Sequence, residues 1–128
     1  MPKIMLLHHS KGFQLHDLPK QQDALTTYYD LLDCSTITCT SFSKFGVRYD
    51  VITDDEALLK PEAKIILSIN AHEWIANSLI ITRTNQLGES IGLTLDEIEN
   101  LQGYFSNGIA SLEKDPKTWW YIWDIVIP

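Results

Sequence analysis

Three short apolar runs most constrain what this chain can become: Lys3 to His9 (KIMLLHH), Ile65 to Ile69 (IILSI) and Ser78 to Thr82 (SLIIT). None approaches the ~18 apolar residues of a membrane span. Apolar runs of roughly four to eight residues bounded by turn residues read as buried strands. A chain with several of them must build a sheet.

Other segments supply the partners. Ser10-Lys11-Gly12 is a turn signal, and Phe13 and Leu15 alternate beyond it, which predicts a hairpin onto the first run. Asp17 and Pro19 are helix-start residues. Ala24, Leu25, Tyr28 and Leu32 form one helical stripe, predicting a helix from about Lys20 to Leu32. Cys34 to Phe42 alternates, with Thr36, Thr38 and Thr40 set against Ile37, Cys39 and Ser41; it reads as a half-buried strand with a threonine face toward water. A turn over 43–46 leads to another strand, Val47 to Thr53. Residues 70–77 (NAHEWIAN) have no firm placement. Thr94-Leu95-Asp96-Glu97 spells a capping box, in which the Thr94 hydroxyl and the Glu97 carboxylate each serve the other's main-chain N–H. Ile98, Leu101, Tyr104 and Phe105 then give that helix an apolar face. Trp119 to Ile127 (WWYIWDIVI) reads as a closing strand. The expected fold is α+β, a mainly antiparallel and possibly mixed sheet of about six or seven strands with two packed helices. One domain is expected over 1–128, with a core at 3–105 and an aromatic C-terminal strand at 117–127.

Composition excludes several classes. Apolar residues make up 45% of the 128 and charged residues 21%, too apolar for a disordered chain. Ten Lys and Arg against 17 Asp and Glu give a net charge of −7. No basic cluster offers phosphate contacts, so direct nucleic-acid binding is not expected, nor is binding to an anionic membrane surface. The acidity lies mostly beyond residue 49, too diluted by bases for strong mimicry of a DNA backbone. No secretory signal is read at the start, where Lys3 precedes only four apolar residues and two histidines. Cys34 and Cys39, if on one strand, lie ~16 Å apart at a rise of ~3.3 Å per residue, with side chains on opposite faces. That is too far for a disulfide and fits a reducing cytoplasm, the expected location.

The order of these elements resembles a known family. The KIMLL strand, the hairpin and the helix with Ala24-Leu25 and Leu31-Leu32 come first. The strand Asn77-Ser78-Leu79-Ile80-Ile81 and the Leu93-Thr94-Leu95-Asp96-Glu97 helix start follow. Over about residues 3–105 the chain is similar to a small domain-of-unknown-function family of bacteriophages, mobile elements and Gram-positive bacteria. The resemblance implies a phage or mobile-element setting and brings no catalytic residue. The polar segment 70–77 and the tail from about 106 depart from its pattern.

Candidate chemistry is sparse. His72-Glu73 lacks the second histidine, four residues on, of the zinc-protease helix. His8 and His16 sit on opposite arms of the proposed hairpin and could approach one another; as a metal site they are set aside with His9 and His72, since zinc sites favour short ligand spacings. Ser111 and Lys114 spell SxxK without the companion motifs of penicillin-recognising enzymes. No catalytic, cofactor-binding or metal residue is assigned, and the reading leans away from an enzyme. Two features are assigned as candidate interface. The corner Asp54-Asp55-Glu56, near Asp50 and Glu62, reads as a solvated or partner-facing acidic patch. The tail puts Trp119, Trp120 and Trp123 on a strand apolar on both faces, so it is either a covered central strand or a contact surface rich in hot-spot residues. The leading expectation is an accessory protein that binds a host protein without catalysis, with self-association as a homodimer also open. The alternative is a small-molecule or nucleotide-sequestering module, with the threonine strand 36–40 and the segment 72–77 lining its pocket.

Overall fold

The computed structural model describes residues 2–8, 11–60, 65–69, 73–107, 109–114, 119–123 and 126–127, the last three as backbone. In chain order the strands begin with β1 (Lys3–His8) and β2 (Gly12–Asp17). A 3-10 turn at Gln21–Asp23 leads into α1 (Ala24–Leu32), followed by β3 (Ile37–Lys44) and β4 (Val47–Asp54). A second 3-10 turn, Ala57–Leu59, precedes β5 (Ile65–Ile69), β6 (Glu73–Ala76) and β7 (Leu79–Thr82). Then come α2 (Leu95–Asn107), β8 (Ile109–Lys114), β9 (Trp119–Trp123) and β10 (Val126–Ile127).

The fold is α+β. A five-stranded sheet runs β2-β1-β7-β4-β3, and every pairing in it is antiparallel. The remaining strands divide between a three-stranded sheet, β10-β5-β6, and a β8-β9 hairpin. In the three-stranded sheet β10 lies parallel to β5, so the pairing is mixed there.

The apolar runs have a direct cause. On one face of the large sheet, Ile4, Leu6, Ile52 and Ile80 pack with Tyr28 and Leu32 of α1. On the other, Met5, Leu7, Val51, Leu79 and Ile81 pack with Ile98, Leu101 and Phe105 of α2 and with Ile66, Leu67, Ile69 and Ile75 of the second sheet. A strand covered on both faces loses the apolar–polar alternation of a half-wet antiparallel sheet. Truncating a fully buried residue such as Ile80 to Ala costs about 2–5 kcal/mol.

Local chemistry sets the boundaries. Lys20 has extended backbone (φ −61°, ψ 148°) and Gln21–Asp23 form a 3-10 turn, so the α-helix starts at Ala24, the first residue of the stripe, rather than at about Lys20. It ends at Asp33, whose left-handed φ of 51° lets the Cys34 N–H donate to the Tyr29 carbonyl at 3.1 Å. Leaving the helix uses residues 33–36, which is why β3 begins at Ile37 rather than Cys34. Phe45 (φ 55°) and Gly46 (φ 75°) form the two-residue turn between β3 and β4, where positive φ at both positions matches the strand twist. Phe45 is held there by an edge-on contact with Tyr104 (6.3 Å). The capping box forms: the Thr94 N–H donates to Glu97 Oε1 (2.8 Å) and the Glu97 N–H to Thr94 Oγ1 (3.2 Å). Glu97 Oε2 also accepts from Arg83 Nη1 at 2.8 Å, tying the start of α2 to the segment after β7.

Two segments differ from the sequence reading. Residues 73–76, left unplaced, are a strand paired with β5. The tail, read as one strand, is two, with β8 as an additional partner for β9.

Candidate functional site

Of the alternating threonines, Thr36 and Thr38 are exposed and Thr40 is half-buried, in keeping with a threonine face toward water. Thr38 lies opposite Thr53 of β4 in register, and Thr40 opposite Val51. Further along, Phe42 turns into the core on the same side and stacks at a tilt with Tyr49 (5.4 Å). Toward the other end the large sheet outruns the short β6, and a cleft of about 160 Å³ opens between them. Thr38, Thr40 and Thr53 form one wall. Trp74, Ile75 and Ala76 of β6 form the opposite one, with Asp55, Ala57 and Leu58 at the end. Trp74 is 53% exposed and Leu58 54%, large apolar groups that a folded chain leaves at its surface only singly or for contact.

Asp54 corrects the expectation of a uniformly solvated acidic corner. Its residue is buried, and its carboxylate is used internally. Asp54 Oδ1 accepts the Glu56 N–H (2.9 Å), turning the chain into the 3-10 segment. Asp54 Oδ2 pairs with Lys60 Nζ at 2.6 Å, and Lys60 also donates to the Asp33 carbonyl (3.0 Å) at the end of α1. The hydrogen bond it donates to Asp54 holds the Lys60 ammonium above its usual pKa. Burial, then the negative charge of Asp54, pushes the Cys34 thiol up. Asp54 is therefore a brace between α1 and β4. Asp55 and Glu56 are exposed and remain the surface acids of this corner.

The other sequence candidates scatter. The register puts His16 opposite Ile4 and His8 opposite Gly12, at opposite ends of the hairpin, so they do not approach. His9, His72 and Glu62 lie outside the described residues, as do the side chains of Ser111, Lys114, Trp119, Trp120 and Trp123. The backbone of the tryptophan strand β9 pairs with β8, and β10 with β5. Among the described residues no group of three or more His, Cys, Asp or Glu side chains converges to hold a metal ion. No described helix is long and apolar enough to cross a membrane.

A second hollow, about 280 Å³, lies under the start of α2 beside Lys3, Arg83, Gly92 and Thr94. Its cations are engaged, Arg83 with Glu97 and Lys3 with Asp17. The capping box occupies the helix N-terminus itself. This region anchors α2 to β1.

Sequence reasoning set the threonine strand 36–40 and the segment 72–77 as the lining of one pocket, and the cleft does join Thr38 and Thr40 to Trp74, Ile75 and Ala76; Leu58 was not anticipated. Glu73-Trp74-Ile75-Ala76 carries no alternation that would announce a strand, and nothing in the sequence marks Leu58. Comparisons with protein-family models, with curated proteins and with solved structures find no match for this chain.

Proposed function

We propose that this chain is a non-catalytic accessory protein of the phage or mobile-element kind that binds a host protein, seating one basic side chain of that partner in the Thr38–Trp74 cleft. The observation that carries the reading is the composition of the cleft: threonine hydroxyls of β3 and β4, the exposed indole of β6 and the surface acid Asp55 after β4. An indole face attracts a Lys or Arg head and lets its aliphatic stem pack, worth roughly 0.5–1 kcal/mol at an exposed site. Asp55 supplies the complementary charge, and the hydroxyls accept hydrogen bonds.

Size and charge disfavour the nucleotide-sequestering reading. Ligand pockets typically run about 300–1,000 Å³, and this cleft has about 160 Å³. Its neighbouring cation, Lys60, is already bound to Asp54 and the Asp33 carbonyl and is not offered to phosphates. The free thiols Cys34 and Cys39 suit the proposed cytoplasmic setting.

Selection of random displayed peptides against the folded chain tests the proposal. The expected result is enrichment of peptides carrying Lys or Arg beside an apolar residue, lost when Trp74→Ala or Asp55→Lys is the bait. Enrichment without basic residues, or selection unchanged by both substitutions, refutes it.

A further inference from the structure

The two edges of the large sheet are unlike one another. β2 is six residues long, carries Asp17 and is followed by Pro19. Charges and prolines are common devices for blunting an edge against another strand. β3 is eight residues long, has no proline and no bulge in its register with β4, and is uncharged from Ile37 to Ser43. Among the described residues no strand pairs with its outer side.

The hydrogen-bond parity of β3 follows from one contact. The Asp55 N–H donates to the Thr36 carbonyl at 3.2 Å, so Thr36 and Asp55 are a hydrogen-bonded pair of the antiparallel ladder. Such pairs alternate with non-bonded ones. Thr38, Thr40, Phe42 and Lys44 therefore bond inward to β4, and Ile37, Cys39, Ser41 and Ser43 point their N–H and C=O groups outward.

We infer that β3 is a homodimer edge, pairing antiparallel with β3 of a second copy about a two-fold axis at Thr40. Only this centre matches every outward residue with an outward residue of the other strand: Ile37 with Ser43 of the second copy, and Cys39 with Ser41. Each face of the sheet continues across the axis, as a two-fold perpendicular to it requires. Charge favours a second copy as occupant. β3 runs from an acidic end, beside Asp55 and Glu56, to a basic end, Lys44 with Arg48 opposite Ser43. Antiparallel pairing sets each basic end beside the other copy's acidic end, with Lys44 opposite Thr36, the neighbour of Asp55. The axis also brings the two Thr40 side chains together, so the two Thr38–Trp74 clefts open side by side. The inference stands whatever those clefts bind.

Sedimentation equilibrium of the full chain at micromolar concentration is the test, with three variants. Wild type has twice the chain mass. Ser41→Pro removes an outward N–H and leaves the β4 ladder intact, a position where an edge strand tolerates proline; it sediments as a monomer. Thr40→Lys sets two ammonium groups opposite each other and gives the same loss without a backbone change. Circular dichroism checks that both keep the fold. Thr40→Cys, in a Cys34→Ser, Cys39→Ser background, forms a disulfide-linked dimer on mild oxidation, because non-bonded antiparallel pairs hold their side chains close. A monomeric wild type overturns the inference. So does a dimer that survives both disrupting variants and gives no Thr40→Cys cross-link, which places the interface elsewhere.

Discussion

Glu97 joins two functions in one carboxylate, and its removal has a calculable cost. Oε1 receives the Thr94 N–H at 2.8 Å, and Oε2 receives Arg83 Nη1 at 2.8 Å. Glu97→Ala removes both. Losing one acceptor at a helix N-terminus costs about 1 kcal/mol, since Thr94 is exposed and water takes its place. Stranding a fully buried cation costs about 3–5 kcal/mol, and an exposed pair contributes about 0.2–1 kcal/mol. The Arg83 side chain is 30% exposed, so solvent screens it and about 1 kcal/mol is the reasonable share. The expected loss for Glu97→Ala is about 2 kcal/mol, or a drop of about 7 °C in Tm at roughly 2.1 cal/mol/K per residue. Glu97→Gln keeps an amide oxygen for the Thr94 N–H and loses only the charge, so about 1 kcal/mol of the loss returns. Urea unfolding with unchanged slope measures both. If Glu97→Ala stays within about 0.5 kcal/mol of wild type, the range of an ordinary surface substitution, Glu97 does not anchor α2. If Gln and Ala are equally destabilising, Glu97 Oε1 contributes nothing as a cap.

Other outcomes follow from the same geometry. Gly92→Ala destabilises more than Gly88→Ala: both have positive φ, but a Cβ at 92 meets Pro2 Cβ at 2.9 Å and the Lys3 carbonyl at 3.1 Å, while 88 has open space. Thermal melts of the two variants compare them, and equal melting points refute the contact. Tyr49→Phe is neutral or stabilising by up to about 1 kcal/mol, because the Tyr49 hydroxyl is buried without a hydrogen-bond partner among the described residues; a clear loss in urea midpoint reveals a partner for it. Alkaline pH lowers the stability of the fold. Burial raises the Tyr28, Tyr49, Tyr104 and Cys39 pKa values, and the Asp54 hydrogen bond raises that of Lys60. A raised folded pKa gives stability that is complete below the unfolded value and lost as pH climbs through the folded one. The urea midpoint therefore begins to fall near pH ~8.5 and falls most steeply above pH ~10, where unfolded tyrosine and lysine titrate; a midpoint that rises over this range refutes the assignment.

Local interactions were readable from the chain, and long-range ones were not. The Thr94–Glu97 box is written three residues apart, so its two partners are neighbours in sequence and the pattern can be read locally. The runs at β1, β5 and β7 announce buried strands because apolar groups on both faces must leave water. By contrast, Asp54 looks like a surface acid until Lys60, which also donates to the Asp33 carbonyl at the end of α1, pairs with its carboxylate. β6 has only four residues and little pattern, and it is a strand because β5 supplies its hydrogen bonds. The cleft depends on that pairing. Thr38 and Trp74 lie far apart in sequence and face each other because two sheets of unequal length pack together. Period, capping and turn chemistry were enough to specify the α+β class and most of the elements, though not β6 or β8. Which edge lies unpaired among the described residues, and which side chains meet, follow from contacts between distant segments that no local pattern encodes.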